Sequence, residues 1–168
     1  MLRAVFHAMA IVAVSAAPLW ANDLPTPVGD VILTVAGQVG VINTKDSAQF
    51  DLDMLRALGS TIVETKTIWT EGTHVFQGVS LTDLIEELDL SGSALRATAI
   101  NDYAIEIPMS DAVENGPILA YLMDGKPMSV RDKGPLWIIY PYDSNANYRS
   151  EVVYSRSIWQ LDRIEAID

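Results

Sequence analysis

The chain has 168 residues, sets 11 Lys and Arg against 22 Asp and Glu for a net charge of −11, and contains no cysteine. So acidic a molecule is disfavoured as a partner of nucleic acid or of an anionic membrane surface. The missing thiol excludes disulfides, Cys-ligated zinc, iron–sulfur clusters, covalently attached haem and thiol catalysis.

Residues 1–21 read as a cleaved secretory signal: Arg3 supplies the positive start, residues 4–19 are apolar, and Ala21 is a small residue before the cut. An uncleaved membrane anchor is the competing reading, but His7, Ser15 and Pro18 interrupt an apolar run shorter than the ~20 residues a span needs. Export to the periplasm or the medium is the expectation. Removing Arg3 leaves 10 Lys and Arg against 22 Asp and Glu, a net charge of about −12. An extended leader over 22–30, with Pro25 and Pro27, then leads into one domain over 31–168, long enough for a substantial core.

Val31, Leu33 and Val35 alternate before Gly37, the pattern of a half-buried strand and a turn. Asp51 is placed to cap a short helix ending at Leu58, with Gly59 to stop it, and 60–69 alternates again as a strand. Ser80 and Asp83 form a capping box for a helix with Leu81, Leu84, Ile85 and Leu88 on one face and Glu86, Glu87 and Asp89 on the solvated side. Strands are expected over 95–100, 103–107, 118–123, 136–140 and 158–167, and a short helical turn over 110–115 capped by Ser110. Many strands on short turns with a few short helices make an α+β fold with a mixed sheet, not a doubly wound one.

Once the leader is removed the chain keeps a single histidine, His74, so no multi-histidine metal site can be built and a Ser-His-Asp triad would have to use it. An imidazole at a sheet edge or loop is the commoner role. Asn101, Asp102 and Tyr103 sit between two strands, where Asn and Asp serve turns or a ligand. Arg131 and Lys133 flank Asp132, and six of the ten basic residues past the leader fall between Lys126 and Arg163, a bias toward a positive mouth in a negative molecule or toward a solvated, paired loop. Trp69, Trp137 and Trp159 either line one cavity or fill the core. The loop over 140–149, ending at Arg149, is either a rim or plain surface.

Residues 120–142 carry a resemblance. Ala120, Met123, Asp124, Gly125, Pro127, Met128, Gly134, Pro135 and Leu136 follow the A-x-x-M-N-G-x-P-L…H-G-x-P-L-R pattern of the oxidoreductase molybdopterin-binding domain family, of sulfite-oxidase-like fold. Phe76 to Leu81 with Asp83 and Leu84 resembles its W-x-G-V-x-L-x-D-L. Asn101 to Tyr103 with Ile107 to Ala112 resembles its D-G-Y…I-P-L-x-x-A, and Ile158 to Glu165 its closing K-W-L-x-x-I-x-V. The match spans roughly Leu33 to Ile167, and Lys133-Gly-Pro-Leu-Trp137 with Tyr140-Pro141 is similar to a compact subgroup of the family.

What the resemblance implies is qualified by four departures. Thr67 stands where catalytic members keep the cysteine that ligates molybdenum, and a neutral hydroxyl is a poor substitute for a thiolate. Lys133 replaces a histidine, Trp137 replaces an arginine, and Ser157 or Ile158 replaces a lysine. The ligand-binding candidates carried by family position and by chemistry are Trp69, Asn101, Asp102, Tyr103, Arg131, Lys133, Trp137 and Arg149, with no metal ligand among them.

Three functions fit. The first is an exported protein of this fold without a thiolate-ligated molybdenum centre, binding a small anionic or planar ligand as a sensor or accessory component. The second is a molybdopterin-dependent oxidoreductase acting on a small oxyanion or oxide, with Lys133, Tyr103 and Arg131 at the pterin phosphate or substrate. The third is a module that docks another exported protein through a sheet edge or a tryptophan-rich face.

Overall fold

A computed structural model describes residues 24–168; the signal expected over 1–21 lies outside the described residues. Ten strands form one branched, curled sheet: β1 (Leu33–Gly37), β2 (Ala48–Phe50), β3 (Thr61–Lys66), β4 (Thr73–Ser80), β5 (Ala94–Ala99), β6 (Ala104–Pro108), β7 (Ile118–Met123), β8 (Lys126–Pro127), β9 (Leu136–Ile139) and β10 (Trp159–Ile167). Three short helices accompany it, α1 (Leu52–Leu58), α2 (Leu81–Glu87) and α3 (Glu151–Arg156). The architecture is α+β.

The main path of the sheet runs β2-β1-β10-β9-β7-β4-β3. β10 is the hub: it pairs parallel with β1, antiparallel with β9 near its start, and antiparallel with β5, which carries β6 outside it. Every other pairing along the path is antiparallel. β7 and β9 are buried along almost their whole length, as continuous apolar runs require when both faces of a strand are covered. Trp137, Tyr121, Tyr140, Tyr142, Phe50 and Phe76 are the largest fully buried side chains. Where β4 crosses β7 with a register shift, the carbonyl of Leu119 fills the space a side chain at position 78 would need, and only Gly78 fits.

The helix boundaries follow their caps. Asp51 Oδ1 accepts from Met54 N at 2.9 Å to open α1, and Gly59, at φ 148°, ends it. Ser80 Oγ accepts from Asp83 N at 2.9 Å to open α2. Asp124 and Gly125, at φ 51° and 74°, make the tight turn from β7 to β8.

Two expectations are corrected. The helical turn is a 3-10 turn over Met109–Asp111 that follows Pro108, with no side-chain cap from Ser110. The strand expected to reach Trp69 stops at Lys66, because Thr67 turns the chain with its own hydroxyl. Two elements had no periodic signal: β2, too short for one, and α3, six residues after a polar loop. The leader over 24–30 has neither helix nor strand; the Asp51 carboxylate accepts from Val28 N at 2.9 Å and Gly29 N at 2.8 Å and straps it to the start of α1.

Candidate functional site

Tryptophan and tyrosine rings converge where β9, β10, α3 and the loop after β3 meet. Trp69 packs edge-to-face on Trp159 at 5.5 Å, on Trp137 at 5.8 Å, on Tyr154 at 5.8 Å and on Tyr142 at 6.4 Å between ring centroids. One side of this cluster opens into a cavity of about 420 Å³ lined by Trp69, Asn101, Tyr103, Tyr154, Trp159 and Gln160, with Ala99, Ser155, Ser157 and Ile158. Trp159 is 36% and Tyr103 55% exposed, so the aromatic wall is reachable from solvent.

The candidates divide sharply. Trp69, Asn101 and Tyr103 line the cavity. Trp137 does not: it is fully buried beneath the wall, donating from Nε1 to the Ser157 carbonyl at 3.1 Å, so its role is to support Trp69 and Trp159. Asn101 Oδ1 accepts from Tyr103 N at 3.2 Å, a turn bond, while the residue also borders the cavity, so the two roles coexist. Asp102 is turned toward Arg163, which reaches it at 2.7 Å and the Ala99 carbonyl at 3.0 Å, tying the loop to β10.

The basic residues do not converge into a positive mouth. Arg131 and Arg149 are exposed and line nothing in this cavity. The Lys133 ammonium lies 4.7 Å from the Trp159 ring centroid and 5.5 Å from that of Trp137, outside the lining residues. Among the described residues it has no carboxylate partner. The indole faces take its charge.

Two residues that favour neither turn nor glycine chemistry are held left-handed beside the cavity, Lys133 at φ 76° and Gln160 at φ 53°, and Gln160 N donates to the Lys133 carbonyl at 3.0 Å. Gln160 sits where β10 shifts register against β9, and its amide also donates to the Val130 carbonyl at 2.6 Å. Such conformations cost about 1–2 kcal/mol each and gather at sites where the fold over-determines them. Gln160, Tyr154 and Ser155 were not legible as site residues, since the register shift and α3 that deliver them leave no periodic mark.

Behind the aromatic wall lies a second layer of polar contacts. Tyr140 donates to Asp111 Oδ2 at 2.6 Å, and Arg156 from α3 meets the same oxygen at 2.9 Å. Tyr142 donates to Ser157 Oγ at 2.5 Å. Burial pushes the Tyr142 phenol up to about 12 and, with the Asp111 carboxylate beside it, pushes that of Tyr140 higher still. His74 is remote from this region: Nδ1 meets Asp124 Oδ2 at 2.7 Å and Nε2 the Glu71 carbonyl at 2.9 Å, so it ties the β4 start to the β7 turn and is no part of a triad.

The model of the family described as oxidoreductase molybdopterin binding domain matches residues 47–147. The chain belongs to that family. A search of curated proteins finds no match. Among solved structures, the sulfane dehydrogenase SoxCD from Paracoccus pantotrophus aligns with a TM-score of 0.58 at 17% identity, covering 81% of this chain. The chain spans 38% of that protein's length, and the likeness is one of fold.

Family membership implies a molybdopterin, and the residues of this site do not fit one. No cysteine is present, and the hydroxyl of Thr67, the residue that the sequence resemblance sets at the cysteine position, is engaged with Thr70 Oγ1 at 2.8 Å and accepts from Trp69 N at 3.1 Å. No cation lines the cavity to meet a phosphate ester. Among the described residues no cluster of His, Asp or Glu is arranged to hold a metal ion in its place. Aromatic rings and amides line this cavity, with neither a thiolate nor a guanidinium among the lining residues.

Proposed function

We propose that this chain is an exported ligand-binding protein, a sensor or accessory component, whose aromatic cavity takes a small planar ligand without redox chemistry at molybdenum. The observation that carries this reading is the lining itself: Trp69, Trp159, Tyr103 and Tyr154 offer ring faces and edges, Asn101 and Gln160 offer amide donors and acceptors, and no charged group intrudes. Flat heteroaromatic molecules meet such a wall by stacking and meet the amides through ring nitrogens and carbonyls. The acidic balance of the chain weighs against an anionic ligand once Lys133 is accounted for by the indoles. The export half of the reading is supported by Arg3 and the apolar run that follows it.

The test is a tryptophan-fluorescence titration of protein recovered from the exported fraction of its host, using an uncharged pterin and the same ring bearing a phosphate ester. The uncharged ring should bind and the phosphorylated one should bind less well; Trp159→Ala should weaken the former by about tenfold, the worth of one or two aromatic contacts. Stoichiometric molybdenum by mass spectrometry in the same material would overturn the reading and restore the oxidoreductase one.

A further inference from the structure

A second and larger cavity lies elsewhere, an apolar groove of about 880 Å³ between the leader strap, α1 and the end of α2, and it shares no lining residue with the aromatic cavity. Its walls include Leu24, Val28, Ile32, Val41, Met54 and Leu58. The strap residue Val28 is 99% exposed although the strap is anchored, with Asp51 holding Val28 N and Gly29 N, and Asn43 Nδ2 donating to the Pro25 carbonyl at 2.7 Å. Val28 thus adds an anchored apolar side chain to the apolar lining of the groove, and it is the contiguous patch that marks an interaction surface.

The charge around the groove is one-sided. Asp30, Asp51, Asp53 and Glu87 line it and no Lys or Arg does. Asp51 is consumed by backbone amides and Asp53 is bridged by Arg56 at 3.0 Å, which leaves Asp30 on the strap and Glu87 at the end of α2 without an ion-pair partner among the described residues. The chain as a whole carries a net charge of −11. Its field favours the approach of a positive partner.

We propose that this groove is a docking site for an apolar segment of another exported protein that carries lysine or arginine on either side of its apolar residues. The apolar residues lie along α1 against Ile32, Val41 and Leu58, and the flanking cations meet Asp30 on the strap and Glu87 at the end of α2, the mode in which amphipathic segments bind grooves. The site shares with the reading above only the expectation of export, and it stands if the aromatic-cavity ligand fails.

The probe is a synthetic peptide of about ten residues, the reach of one groove-bound helix, with a Leu-Ala core and a lysine pair at each end. It is titrated by amide NMR into ¹⁵N-labelled protein from the exported fraction. Shifts are expected over 24–32, at Val41 and over 51–58, with the indole signals of Trp69 and Trp159 unmoved. Affinity should fall about tenfold from low to high salt. Ala57→Arg, on an exposed lining residue, should abolish binding with an unchanged melting temperature, and Glu87→Lys should weaken it.

The proposal is overturned by any of four results. These are no binding at millimolar peptide, equal binding of a glutamate-flanked or serine-core peptide, indifference to Ala57→Arg, or a sedimentation-detected dimer that already covers the groove.

Discussion

Thr67 shows how a hydroxyl is committed locally: it closes a turn with Thr70 and Trp69 N, a bond a neutral oxygen makes well and which removes it from service as a ligand. Restoring the sulfur alone, Thr67→Cys, should therefore leave the protein without bound molybdenum when produced in a host that makes the cofactor, since the phosphate still meets no cation; metal analysis checks this. Trp137, offered by sequence position as a ligand contact, is the keystone of the wall. Trp137→Ala should cost about 3–5 kcal/mol in urea unfolding, the range for a large core residue with its cavity. Gly78→Ala should cost about 1–3 kcal/mol, because the Leu119 backbone cannot move out of a paired strand.

At the level of elements, short helices here are held by side chains of other elements more than by their own length. α3 is six residues, too short to persist alone, and it is fixed by Arg156 to Asp111 and by Ser157 to Tyr142. Asp111→Ala should cost about 2–3 kcal/mol by leaving Arg156 and the Tyr140 phenol unpaired, and should weaken ligand binding as well, since Tyr154 and Ser155 ride on α3.

The strap makes a pH prediction. Backbone amides of Gly29, Met54 and Val28 hold the Asp51 carboxyl below its usual range, and the Val75 amide with His74 does the same for Asp124. A carboxyl depressed on folding contributes stability that is complete above its unfolded value near 3.9 and is lost as pH falls through the folded value. The melting temperature should thus fall on acidification below about pH 4, and Asp51→Asn should flatten that fall. At the other end, phenols raised by burial contribute stability that is present below about pH 10 and lost as pH rises toward about 12, so the ultraviolet ionisation signal of Tyr142 should be absent at pH 10 and appear only around pH 12 or on unfolding.

Across the whole molecule, the apolar core must carry the fold without disulfides, since the chain has no cysteine. Apolar alternation, the Asp51 and Ser80 caps and the Asp-Gly turn were each readable because they depend on neighbours a few residues away. So was the family, because its motifs are strand ends and turns that survive in order even when the chemistry between them is replaced. The missing thiolate was equally plain. What only the tertiary structure decided is which side chains share a space. The hub position of β10 and its register shift bring Gln160 beside Lys133, the fixing of α3 brings Tyr154 to Trp69, and the indoles absorb the one ammonium that the sequence offered as an anion site. Those contacts join residues far apart in the chain through packing and through a backbone irregularity, and neither leaves a period or a propensity for a sequence to display.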